Sequence, residues 1–100
     1  MSGGHFDYAQ FRITEIYDSV QKAKERNEYD FTNNTLDEFD NGIYILKKAH
    51  IYAQRIDWLL SYDDSEVSFH ERLKEELAEL DEWYNKQTLK TIKNRTKLEM

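Results

Sequence analysis

From Leu36 to Leu60 the apolar residues recur at helical spacing along two flanks of the same segment. Leu36, Phe39, Ile43, Leu46, Ala49, Ala53, Ile56 and Leu60 mark one stripe, and Tyr44, Ile45, Ile51, Tyr52 and Leu59 mark a second. A helix that is apolar on more than one side sits at the centre of a fold or meets a partner subunit. Thr35 with Glu38 makes a capping box that predicts where this helix starts. Gly42 weakens its interior by roughly 1 kcal/mol relative to Ala and permits a close crossing or a local bend.

Two further helices are expected around it. Phe11, Ile16, Val20 and Ala23, with Ile13 and Tyr17 beside them, predict a helix from about Asp7 to Arg26, with Asp7 as cap and Gln10 completing a reciprocal box. Gly3 and Gly4 leave a loop before it. Asn27 to Asn34 reads as a connection, with Asn33-Asn34 as turn chemistry. Tyr29 and Phe31 are expected to pin it to the core, since exposing two rings is costly. After Ser61-Tyr62-Asp63-Asp64-Ser65, where Asp64 or Ser65 can cap, Phe69, Leu73, Leu77, Leu80 and Tyr84 form the seam of a third helix. Glu71, Glu75, Glu76, Glu79 and Glu82 fill its other face, and Arg72–Glu76 is an i,i+4 pair of opposite charge. Past Lys86 the seam thins to Leu89 and Ile92, which predicts a frayed or extended basic end. The expected fold is all-α: a small antiparallel three-helix bundle over residues 1–85, with a basic helix extension or tail at 86–100, assembled as a homo-oligomer.

Composition removes whole classes of function. With no Cys in 100 residues there is no disulfide, thiolate zinc site or thiol catalysis. No apolar run approaches the roughly 20 residues that cross a bilayer, and the N-terminus lacks a signal peptide's basic start and apolar stretch. A soluble, cytoplasmic domain with no membrane partner is the expectation. The net charge is −6. Residues 86–100 carry Lys86, Lys90, Lys93, Arg95 and Lys97 against Glu99 alone, so the preceding 85 are strongly acidic. An acidic body repels a polyanion, which argues against duplex nucleic acid as a partner. It leaves room for a basic protein surface or for one small anionic ligand held by clustered cations.

No phosphate loop, zinc-protease motif or nucleophile elbow is present, so no enzymatic activity is expected. His5, Asp7, His70 and the Asp63–Asp64 pair lack informative metal-ligand spacing, and neither a metal nor a cofactor is expected. The second helix does offer one polar-aromatic face. Lys48, Tyr52 and Arg55 stand at i, i+4 and i+7. A ring with two cations suits a nucleotide, with stacking for the base and forked hydrogen bonds for the phosphate. Tyr8 and Arg12 can join this face from the first helix, and Phe6 and Tyr8 can form an aromatic lip. The plainer alternative is that Tyr52 is core, that the cations pair with nearby acids, and that Phe6 and Tyr8 simply dock.

Two blocks of the chain resemble a known family. Ser2-Gly3-Gly4-His5-Phe6-Asp7-Tyr8 looks like the opening of a family of small phage, prophage and bacterial proteins. Ile51-Tyr52-Ala53-Gln54-Arg55-Ile56-Asp57-Trp58-Leu59-Leu60-Ser61, continuing through Asp63-Asp64 and Ser68-Phe69-His70-Glu71-Arg72-Leu73, is similar to its second block. The resemblance covers most of residues 2–80. It transfers no catalytic residue and implies a prokaryotic or viral cytosolic setting. The chain departs from it at Tyr62, where Gly is expected.

That setting implies, by analogy of class only, an accessory protein that counters host defence. One expectation is a non-enzymatic binder that sequesters a small (cyclic) nucleotide signal through Phe6, Tyr8, Arg12, Lys48, Tyr52 and Arg55. The alternative is an acidic interaction module, using Glu75, Glu79 and Glu82, that blocks a basic site on a host protein. A nucleotide hydrolase would need a base such as His70 or His5.

Overall fold

The computed structural model describes the backbone of residues 4–99 and the side chains of all of these but 94 and 96–99. Three helices follow one another: α1 (Phe11–Arg26), α2 (Asn33–Leu60) and α3 (Glu66–Glu99). Ser2 and Gly3 of the first block lie outside the described residues. None of the described helices is long and apolar enough to cross a membrane.

The expected antiparallel order holds, with α2 in the middle. At one end of the α1–α2 pair, Asp57 of α2 meets the segment leading into α1. At the other, Lys24 of α1 meets Asp40 of α2 at 2.7 Å. Along α2 and α3, the Tyr44 hydroxyl donates to Asp81, the Tyr84 hydroxyl donates to Asn41, and Arg95 grips both carboxylate oxygens of Asp37 at 2.6 and 3.2 Å. The bundle is not closed, however. Each outer helix packs on α2, and among the described residues α1 and α3 do not pack on each other. The molecule is a layer measuring 55 × 25 × 16 Å, and the buried apolar side chains among the described residues are Ile43 and Leu80.

The entry into α1 differs from expectation because of Asp57. Its carboxylate is 0% exposed. Oδ2 accepts from the Gly4 amide at 3.0 Å and from Gln10 Nε2 at 3.0 Å, and Oδ1 accepts from the Phe6 amide at 3.1 Å. The His5 amide donates to Ser61 Oγ at 3.2 Å. Wrapping the backbone around this anion forces Asp7 and Tyr8 to φ of 57° and 59°, so the helix begins at Phe11 rather than near Asp7. Gln10 does not complete a box with Asp7; it is buried and turns toward Gln54 and Asp57. The two blocks that carry the family resemblance therefore meet in one contact.

The other boundaries follow local chemistry. α2 starts at Asn33, with Thr32 at the N-cap position and no side-chain cap bond, so Asn33-Asn34 is helix rather than turn and Thr35 lies inside the first turn instead of capping it with Glu38. Ser65 does cap α3: its Oγ accepts from the Ser68 amide at 3.1 Å. Glu76 faces Arg55 at 3.6 Å, a longer-range partner than the expected Arg72. Past Lys86 the chain continues as helix to Glu99.

α2 ends in a Schellman motif, with the Asp63 amide on the Trp58 carbonyl at 3.0 Å and the Tyr62 amide on the Leu59 carbonyl at 3.2 Å. The residue in the left-handed position is Tyr62, at φ 62° and 95% exposed, where the resemblance leads one to expect Gly. A side chain there costs about 1 kcal/mol, and an exposed ring recovers little by packing. Tyr62→Gly is expected to raise unfolding stability by about 1 kcal/mol, read by urea titration. Asp57→Ala, which strands three donors, is expected to lower it by about 3 kcal/mol. The pH dependence has a definite sign. Burial pushes the Asp57 pKa up, but hydrogen bonds from Gly4, Phe6, Gln10 and His5 outweigh it and hold the carboxyl below its usual value. Its contribution is therefore complete above about pH 4 and is lost as pH falls through the lowered folded value.

Candidate ligand-binding groove

The connection between α1 and α2 is shaped by Asn27. It closes α1 in the left-handed conformation at φ 43°, with its amide on the Ala23 carbonyl. Its side chain also brackets Phe31, accepting from that residue's amide at 2.8 Å and donating to its carbonyl at 3.2 Å. This brings the Phe31 ring edge-on to Phe39 of α2, with centroids 5.7 Å apart, and sets Tyr29 beside Phe31 at 5.6 Å.

The result is a groove of about 480 Å³ lined by Ser19, Lys22, Ala23, Arg26, Glu28, Tyr29, Phe31 and Phe39. This lies within the size range of small-molecule sites. The expectation that Tyr29 and Phe31 are pinned in the core fails here. Tyr29 is 79% exposed and Phe31 is exposed as well, because the open layer provides no third helix to cover them. Lys22 and Arg26 stand at i and i+4 on α1, one above the other at the groove wall. Among the described residues neither is in an ion pair. Free cations beside uncovered rings are chemically suited to an anion that carries a flat group. The C-terminal dipole of α1 works against an anion at this end, so the two cations must outweigh it.

A second groove, of about 310 Å³, opens where α1 and α3 diverge over α2. It is lined by Tyr17, Lys47, His50, Ile51, Glu76, Glu79, Leu80 and Trp83. Its cation is already engaged: Lys47 Nζ lies 3.6 Å from the centre of the Trp83 ring and 5.5 Å from that of Tyr17, and burial lowers its pKa. His50 lies between Phe11 and Tyr17, and its Nε2 is buried without a hydrogen-bond partner. Burial lowers the His50 pKa, partly offset by the Glu76 charge. The groove is the chain's own wall contact more than an opening for an anion.

The face expected from sequence is divided by the fold. Arg55 is 6% exposed; it lies 4.0 Å from Asp64 and 3.6 Å from Glu76, with its guanidinium 4.7 Å over the Trp58 ring. Lys48 and Tyr52 stay exposed on α2, with Lys48 Nζ 5.9 Å from the Tyr44 ring. Tyr8 stacks on Phe11 at 6.3 Å, and Phe6 lies edge-on to His5. Arg12 is exposed. Among the described residues no hydrogen bond, ion pair or ring contact joins Phe6, Tyr8 or Arg12 to Lys48, Tyr52 or Arg55. No group of three metal-ligating side chains gathers among the described residues. From sequence, Lys22 and Arg26 have no expected role, and Tyr29 is placed in the core rather than at a site. The i,i+4 cation pair just before an aromatic-rich connection was the available clue.

Comparison of the chain with protein-family models, with curated proteins and with solved structures returns no match.

Two outcomes test these assignments. Arg55→Ala leaves Asp64 buried without its cation, and about 3 kcal/mol of stability should be lost with no ligand present, measured by chemical denaturation. Because the folded pKa of His50 is depressed, folding holds it neutral. That contribution is present above about pH 6.5 and declines as pH falls below it. The melting temperature should therefore drop between pH 7 and pH 5, and His50→Gln should shrink the drop.

Proposed function

We propose that the chain is a non-enzymatic binding protein for a small anionic aromatic ligand of the nucleotide class, held in the groove of Lys22, Arg26, Tyr29, Phe31 and Phe39. The carrying observation is the exposed Tyr29 ring beside two unpaired cations in a cleft of about 480 Å³. A base would stack on Tyr29 or Phe31, and Arg26 would fork onto a phosphate with Lys22 adding charge. This reading keeps the ligand class expected from sequence and moves its site from α2 to the end of α1. In the phage-type setting that the resemblance implies, such a protein would withhold a nucleotide signal from a host defence system.

A second reading has its own support. Glu71, Glu75, Glu79 and Glu82 are exposed along α3, and of these only Glu82 is in an ion pair among the described residues, with Lys86 at 3.1 Å. Such a stripe suits a basic protein surface, with association that weakens steeply with salt.

Native mass spectrometry with a panel of linear and cyclic nucleotides decides between them. The first reading expects one nucleotide retained per groove. Arg26→Ala and Tyr29→Ala should each weaken affinity about tenfold, the size of one lost charged hydrogen bond or one lost stack, while Lys48→Ala leaves it unchanged. If no nucleotide is retained, or if the two variants bind as wild type does, the nucleotide reading is wrong. Salt-sensitive capture of a basic host protein, lost on reversing Glu75 and Glu79, would then support the α3 stripe.

A further inference from the structure

α2 has a side that neither outer helix covers. Gly42, Ile45, Ala49, Tyr52 and Ile56 are spaced 3, 4, 3 and 4, the repeat of a helix-pairing seam, and Leu46, Ala53 and Leu60 widen it along one edge. Ile45 is 63% exposed, and Ala49, Tyr52 and Leu60 are exposed too. Every charged side chain of this stretch has a place off the seam. Lys47 lies on Trp83, Arg55 faces Asp64 and Glu76, Asp57 holds the N-terminal backbone, and Lys48 points toward Tyr44. An uncharged strip is thus left bare in a chain that is 34% charged.

Gly42 gives a second observation. It stands inside a 28-residue helix, and a Cβ built there would meet nothing within 4 Å. The chain's own packing has no need of it, whereas a backbone approaching from outside would. Area gives a third. A folded monomer of 12.1 kDa exposes about 6,000 Å², against 7542 Å² here. The radius of gyration is 16.6 Å, against about 13 Å for a compact chain of this length. The difference in area exceeds the roughly 800 Å² that each partner of a stable complex buries.

We infer that a second copy of this chain covers the outer face of α2, with the Gly42–Ile45–Ala49–Tyr52–Ile56 seams packed against each other. Identical uncharged seams satisfy each other by apolar burial alone, and the close approach falls at Gly42. Tyr52 then serves assembly rather than ligand stacking.

Sedimentation equilibrium on the full chain, with no ligand added, tests this independently of the nucleotide reading. The wild type should be a dimer or a larger even assembly. Ile45→Glu should weaken association about a hundredfold, as a charge set in an apolar contact does, while circular dichroism stays helical. Lys22→Ala, in the ligand groove, should associate as the wild type does. A monomeric wild type, or an Ile45→Glu protein that associates unchanged, overturns the inference. Should Ile45→Glu fail to fold, the absence of native Cys supplies the second test: Ala49→Cys should cross-link between copies with a short bismaleimide far faster than Glu71→Cys. Equal rates would also overturn it.

Discussion

One buried carboxylate orders this molecule. Asp57 sits two residues past Arg55 near the end of the central helix, and the chain before α1 is wound around it through the backbone amides of Gly4 and Phe6 and the side-chain Nε2 of Gln10. A carboxylate without water needs this many donors to stay charged. Supplying them fixes where α1 begins, and hence which face of α1 lies on α2. Tyr8 and Phe11 follow from that anchor, as does His50 behind them.

Asp57 ties α1 and the Arg55–Asp64–Glu76 contacts tie α3 to the same C-terminal end of α2, and the two outer helices lie against α2 without packing on each other. An open layer has consequences that a closed bundle lacks. It buries little apolar surface, it leaves aromatic residues of the 27–32 connection uncovered, and it leaves one side of α2 bare. The groove at the end of α1 and the seam on α2 are separate results of that opening. They sit near each other, since Phe39 lines the first and Phe39, Gly42 and Leu46 line the cleft that continues from it.

The helices were legible because periodicity reports burial on α2, and α2 is long enough to repeat its pattern many times. The third-helix cap at Ser65 was legible for the same local reason. What escaped was non-local. Nothing near Asp7 announces that a carboxylate fifty residues away will draw the backbone out of helix. Arg55 read as a free cation because its partners, Asp64 and Glu76, come from the far side of a turn. Tyr29 read as core because solvent exposure of a ring looks costly until the fold is known to be open. At Tyr62 the expectation of Gly came from the resemblance alone and not from the local pattern; the structure has a left-handed helix cap there.

The ligand site we propose consists of the uncovered rings and free cations at the end of α1. Backbone amide NMR shifts recorded while a nucleotide panel is titrated into the full chain test it most directly. Binding in the groove should give saturable changes concentrated at Lys22, Arg26, Glu28, Tyr29, Phe31 and Phe39. Saturable changes centred instead on Tyr8, Arg12, Lys48 and Tyr52, or no saturable change with any nucleotide, would contradict it.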